Sequence, residues 1–346
     1  MARVPRRTYD SHIVRASLPA IVDVGIPAHG RPRFLREAIE SVLGQTLGGW
    51  RLVVSEDGPG GDAVADAVRP YLDDPRVSYR TTGRRLGAAA NMTRLIGGGS
   101  APYVGLLHDD DRWEPGFLAR RVEFLETYPE CGLVFSRSVI IDERGRPIHS
   151  HRPLVPAGVL PPERFAGAML RRNVVPISTV LVRRSAYDAV GPRFDERFPH
   201  IYDYEMWLRI GARFPVARLD VCDAQWRRHG SQSSFDGRTR GEEMLAFLTH
   251  AERLIATELP ALELAGRRRR YVRARRMVSA SLDAAQQEQP RAALARLGEA
   301  VRTWPPMAVN PRVATALVGI ACGTRGAHVV RTIRQKARWR GLRLPF

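Results

Sequence analysis

The chain has 346 residues, 44% apolar and 26% charged, the mix of a soluble globular protein with room for a catalytic domain and an appendage. Its three cysteines, Cys131, Cys222 and Cys322, form no C-x-x-C pair, which argues against a zinc framework or a disulfide scaffold and fits a reducing compartment. The formal charge is +18, with +11 of it in residues 241–346, and a charge of this kind suits anionic partners without naming one.

Met1 to Leu18 is polar and arginine-rich with no apolar centre, so no secretory signal is expected. Ala20 to Ile26 reads as a short β-branched strand, and Arg33 to Leu47 as a helix with apolar residues at helical spacing. Strands are expected at Arg51–Ser55, Val77–Arg80 and Tyr103–Leu107, with helices at Asp62–Leu72, Gly87–Ile96 and Pro115–Tyr128. Repeated strand–helix units imply a mostly parallel sheet flanked by helices, which binds ligands at the carboxyl ends of its strands. Further on, the pattern predicts a hairpin around Glu143–Arg146, a helix over Pro162–Arg171, a strand over Ser178–Val182 and a helix over Asp203–Ala212. From Gly241 the pattern is helical, broken near Pro260, Pro290 and Pro305-Pro306. The longest apolar run, Val313 to Cys322, is too short to span a bilayer.

Four polar clusters punctuate this plan. In His108-Asp109-Asp110-Asp111, carboxylates this close repel one another, and a divalent cation such as Mg²⁺ or Mn²⁺ relieves the repulsion. The alternative is an aspartate-rich loop that caps the following helix. Asp57, in a Glu-Asp-Gly-Pro turn, either shapes the turn or accepts hydrogen bonds from a base or ribose. Gly83 to Asn91 sets Arg84, Arg85 and Gly87 before a helix, which suits phosphate or serves as a cap. Asp203 and Glu205 open a helix, either as its electrostatic cap or with one of them as a general base. His229 follows in a basic stretch within reach of a pyrophosphate or a metal.

Taken in order, these clusters resemble the family 2 inverting glycosyltransferases of the GT-A fold. Ile26-Pro-Ala-His-Gly-Arg-Pro32 is similar to the family's opening element, with His29 where a tyrosine is usual. Glu37 to Thr46 resembles its first-helix signature, and Ser55 to Pro59 its acidic turn. His108 to Pro115 resembles its metal motif, with histidine replacing the first aspartate. Tyr202-Asp203 resembles its Glu-Asp pair, and Trp226 to Ser234 its closing Arg-x-His-x-Ser element. The resemblance implies a GT-A domain over residues 20–240, after an extension at 1–19 and before a basic helical region at 241–346. It implies Asp203 as catalytic base and Asp110 with His229 as metal residues. Pro27, Ala28, His29, Asp57, Arg84, Gly87, Asn91, His108 and Asp109 are the implied nucleotide-sugar contacts.

The expected function is inverting transfer of a sugar from a nucleotide-diphosphate donor to a carbohydrate, lipid-linked or small-molecule acceptor, assisted by Mg²⁺ or Mn²⁺. Nucleic acid is not an expected partner. A cytoplasmic protein is expected; the apolar face of the basic segment Val330 to Leu342 is thin, so it reads as a solvated or protein-packed helix, with peripheral membrane contact as the alternative. The rival readings are a sugar-phosphate nucleotidyltransferase and a non-catalytic nucleotide- or carbohydrate-binding scaffold. The first usually carries a glycine-rich loop after the opening strand, where Pro27 to Pro32 has one glycine.

Overall fold

The computed structural model describes residues 20–151, 153–230, 240–262 and 266–322. Strand and helix alternate through the first half: β1 (Val22–Ala28), α1 (Pro32–Leu43), β2 (Trp50–Glu56), α2 (Asp62–Val68), β3 (Val77–Thr81), α3 (Ala88–Gly97) and β4 (Tyr103–Leu106). The apolar periods dictate this. Leu35, Ala38, Ile39 and Val42 form the buried face of α1, and Pro32 starts it at a position where the missing N–H has no intrahelical partner to lose. The β1 strand is buried almost end to end because β2 and β4 flank it and helices cover both faces.

Next come β5 (Arg112–Trp113) and α4 (Phe117–Thr127), then the expected hairpin of β6 (Leu133–Ile141) and β7 (Pro147–Ser150). They are followed by β8 (Gly158–Leu160), α5 (Pro162–Met169), β9 (Leu181–Arg183), α6 (Arg184–Val190), α7 (Tyr202–Arg213) and β10 (Val216–Arg227). One sheet runs in the order β3-β2-β1-β4-β9-β6-β10-β5, with β7 on β6 and β8 on β10. The first four strands in that order are parallel, while β9 and β5 run against their neighbours. The expected strand over Ser178–Val182 begins instead as a 3₁₀ turn, Ile177–Thr179. The turn lifts Ser178 out of the ladder, where its carbonyl accepts from Trp113 Nε1 at 2.6 Å.

Beyond the sheet lie α8 (Arg240–Glu258), α9 (Gly266–Gln286), α10 (Pro290–Thr303) and α11 (Pro311–Ala321). Phe247, Leu248, Ala251 and Ile255 of α8 belong to the same core as α5 and α7. A second core, built on Met277, Val278, Leu297, Met307 and Val313, joins α9, α10 and α11. Leu245 of α8 joins this second core, so α8 packs on both. Among the described residues, no helix is long and apolar enough to cross a membrane.

Candidate active site

The parallel register aligns Ala28 with Glu56 and Gly25 with Leu106, so β1, β2 and β4 end at one edge of the sheet. The polar clusters leave from that edge. After β2, Asp57 turns back and donates its N–H to the Ala28 carbonyl at 3.2 Å. Its carboxylate accepts the backbone N–H groups of Leu86 and Gly87 at 2.7 and 2.9 Å. Gly87 is the N-cap of α3 and sits at φ +92°, a conformation that glycine adopts without strain. Asp57 thus folds the loop before α3 around itself.

From that loop, Arg85 Nη2 lies 3.4 Å from His29 Nε2. Asn91 is buried and engaged at both ends by Ser55. Its Oδ1 accepts the Ser55 hydroxyl at 2.6 Å and its Nδ2 donates to the Ser55 carbonyl at 2.9 Å. It acts on the edge through the backbone it pins.

After β4 the chain enters the aspartate run, and all three aspartates are buried. Buried carboxylates need partners, and each has a different set. Asp109 accepts the His29 N–H at 2.9 Å and faces Arg31 Nη2 at 3.3 Å. Asp110 Oδ2 accepts from Arg31 Nη1 and pairs with His229 Nε2 at 2.9 Å. Asp111 is locked into the frame: Ser178 Oγ and the Arg227 N–H both donate to it, the latter at 2.9 Å.

These partners separate the acidities. Burial and the Asp110 charge push Asp109 up to about 7, against Arg31 and the His29 amide. Burial pushes Asp110 the same way, but the His229 hydrogen bond and the neighbouring positive charge hold it below its ordinary range. Burial and Asp110 raise Asp111 well above that range. Burial also lowers His108, which favours a neutral imidazole able to offer a lone pair.

Ligand atoms of His108, Asp110 and Asp111 lie within 4.8 Å of one another. His229 lies outside that group and is tied to Asp110 by its hydrogen bond. Both recorded hydrogen bonds of the Asp110 carboxylate fall on Oδ2. A carboxylate-rich set with one neutral imidazole fits a hard divalent cation such as Mg²⁺ or Mn²⁺.

Residues from the second half complete the edge. Arg227, fully buried at the end of β10, donates from Nε to the Asp110 carbonyl at 2.9 Å, ion-pairs with Glu37 and lies over the Phe34 ring. The N-terminus of α7 brings in Tyr202 and Asp203. Burial raises the Tyr202 phenol, and the charges of Asp203, Asp110 and Asp109 raise it further. Asp203 Oδ2 accepts from Asn173 Nδ2 at 3.2 Å.

The residues at positions 29, 57, 87, 108, 109, 110 and 229 lie along this one edge, with Pro27 and Ala28 supplying the strand end beneath them, and Asp203 is bonded to Asn173 at the start of α7. Arg31 and Arg227 were not among the expected site residues. The one sequence signal for Arg31 was its place in the opening element, and for Arg227 its place in the closing one. Ser231 to Ser234 of the closing element and the basic segment from Val330 to Leu342 lie outside the described residues.

The family model for glycosyl transferase family 2 matches residues 23–191. An uncharacterised glycosyltransferase of Methanocaldococcus jannaschii is 21% identical over 196 residues, 55% of this chain and 64% of that protein. The chain spans less than two thirds of the length of this and similar curated relatives, down to 35%. Among solved structures, Staphylococcus aureus TarS residues 1–349 in complex with UDP-GlcNAc aligns with a TM-score of 0.61 at 14% identity, over 93% of this chain and 92% of that one. The mannosyltransferase PcManGT of Pyrobaculum calidifontis, solved with GDP-Man and Mn²⁺, aligns at 0.51 with 16% identity, over 90% and 87%. Residues 23–191 match the glycosyl transferase family 2 model, and the strand order and fold are those of solved GT-A-like glycosyltransferase structures.

Proposed function

We propose that this protein transfers a sugar from a nucleoside-diphosphate sugar to an acceptor hydroxyl in one inverting displacement, with Asp203 as the general base. The observations that support the proposal are the hydrogen bond from Asn173 that holds the Asp203 carboxylate at the start of α7, and the effect of the Asp109 and Asp110 charges on the neighbouring Tyr202. Complexes of the structural neighbours with UDP-GlcNAc and with GDP-Man support a nucleotide-sugar donor. We read the base as uracil or thymine, with guanine as the alternative.

In this mechanism Asp203 takes the proton of the acceptor hydroxyl as its oxygen attacks the anomeric carbon. Asn173, bonded to Asp203, keeps the carboxylate oriented. The nucleoside diphosphate leaves on the opposite face, which inverts the anomeric configuration. Asp110 and His108 would hold a divalent cation, which when bound supplies positive charge to the departing diphosphate. Arg31 and Arg85 add cationic donors around the same phosphates, and the His229 imidazole lies beside them, bonded to Asp110. Asp57 keeps the loop before α3 in the shape that receives the base. The acceptor is a carbohydrate, a lipid-linked or a small-molecule hydroxyl, and the basic tail is the proposed point of peripheral membrane contact.

The test is Asp203→Asn. Release of nucleoside diphosphate should fall by about 10²–10⁴-fold, the range for loss of a general base, while donor affinity stays within about twofold. Turnover retained in this variant removes Asp203 from the mechanism. Release of pyrophosphate instead would favour the nucleotidyltransferase reading.

A further inference from the structure

At one end of the helical region, three features converge that the sugar-transfer reading does not use. Helix α9 carries seven arginines, at 267, 268, 269, 270, 273, 275 and 276, against one acid, Asp283. Arg269 and Arg273 pair with Glu252, but Arg270 is exposed and makes no ion pair among the described residues. Arg302, exposed on the last turn of α10, makes none either. Arg267 lies over the Trp304 ring at 5.5 Å, and Tyr271 meets the same indole edge-on at 6.2 Å. The start of α9 and the end of α10 are therefore together.

The chain turns there through a 3₁₀ segment, Pro305–Val309, and this turn is apolar and open. Pro305, Pro306, Ala308 and Pro311 are exposed, and Val309 is 87% exposed. The exposed apolar surface continues along α11. Pro311, Ala314, Leu317, Val318 and Ala321 are all exposed, and at 100° per residue they fall within one stripe about 120° wide.

An apolar tip inside a collar of arginines and two amphipathic aromatics is the pattern of a surface that seats in a lipid interface. The apolar residues enter the acyl boundary while the cations meet headgroup phosphates. A nucleic-acid groove would use the arginines but would leave Val309 and the stripe of α11 uncovered. We propose that this end of the helical region, formed by the start of α9, the 305–309 turn and α11, docks on an anionic lipid surface. The inference is independent of the donor chemistry and of the tail beyond residue 322.

The experiment is co-sedimentation of the full-length chain with vesicles of phosphatidylcholine containing 30 mol% phosphatidylglycerol, and with pure phosphatidylcholine vesicles. The chain should pellet with the first and at least about tenfold less with the second, because the attraction of the basic residues is lost with the anionic charge. Val309→Glu with Leu317→Glu should weaken partitioning at least about tenfold. Arg267→Glu with Arg302→Glu should weaken it by a similar factor. All four positions are surface positions, so unchanged thermal melting confirms that the variants fold.

Undiminished pelleting of both double variants overturns the proposal, as does failure of the unaltered chain to pellet with anionic vesicles. Retention on double-stranded DNA in preference to vesicles, insensitive to Val309→Glu and Leu317→Glu, overturns it in favour of nucleic acid. No arm uses donor turnover, so failure here leaves the sugar-transfer reading standing, and the reverse also holds.

Discussion

Asp109 and Asp110 are adjacent in the chain yet shifted in opposite directions, because one lies mainly under burial and the other under a histidine and an arginine. The sign of the consequence follows. An acid raised from 3.8 to about 7 stabilises the fold fully below pH 3.8 and loses that contribution as pH rises through 7. Asp110 is shifted down and stays ionised through that window. Asp109→Asn should therefore flatten the fall of stability between about pH 4 and 7. The effect is on the order of 4 kcal/mol at most, read as the difference between two urea midpoint series. A second outcome belongs to Asp110. Its loss to alanine should remove the gain in nucleotide affinity on adding Mn²⁺, with titration calorimetry in the presence and absence of Mn²⁺ as the readout. An unchanged gain would move the metal from Asp110.

At the scale of elements, β10 does the most joining. It runs from Val216 in the core to Arg227 at the acidic edge, and it carries Asp223, which takes Arg121 of α4 through two hydrogen bonds of 2.9 Å. Arg121 is fully buried and also stacks over Phe117 at 3.4 Å. Removal of one partner leaves a buried charge without its counter-ion. Asp223→Ala should lower unfolding stability by about 3–5 kcal/mol, measured by urea denaturation. Asp223→Asn should recover part of that through its hydrogen bonds.

The same pair explains why β10 was hard to read in the sequence. Arg218, Asp220 and Asp223 interrupt the alternation that marks a strand; Arg218 pairs with Asp220 two residues on, while the partner of Asp223, Arg121, lies far away in the chain. The strands β1, β2 and β4, apolar and uninterrupted, were legible, as were the helices between them. Asp57, Asp110 and Asp203 could be found because turn chemistry and family motif mark them. Arg31 could not, since its partners lie 78 and 79 positions on and no period links them. The approach of Arg85 to His29 was equally closed to sequence. It depends on how the chain turns between Gly83 and Gly87, both at positive φ.

For the molecule as a whole, α8 is the seam between the sheet domain and the helices behind it. Phe247 packs on Tyr204 with ring centroids 4.3 Å apart and meets Phe198 edge-on at 5.8 Å. Ion pairs flank it: His250 with Glu205 at 3.0 Å and Arg213 with Glu258 at 2.7 Å. Tyr204 is the residue after the proposed base, so the seam also braces α7 where it enters the site. Phe247→Ala should cost about 3–5 kcal/mol by opening a cavity in a shared core, seen as a drop in the thermal midpoint. Sheet and helices should still unfold together, with tryptophan fluorescence and far-ultraviolet circular dichroism tracing one transition. Separate transitions in the unaltered chain would mean that α8 couples the two parts weakly.

Arg31 gives the acidic edge a resident cation before any donor arrives. Donor uptake then becomes an exchange of counter-ions, in which diphosphate oxygens compete with Asp109 and Asp110 for the guanidinium. Such a swap leaves the number of bound small ions nearly unchanged. Donor affinity should accordingly vary little with added salt, and an Arg31→Gln protein should show the steeper dependence.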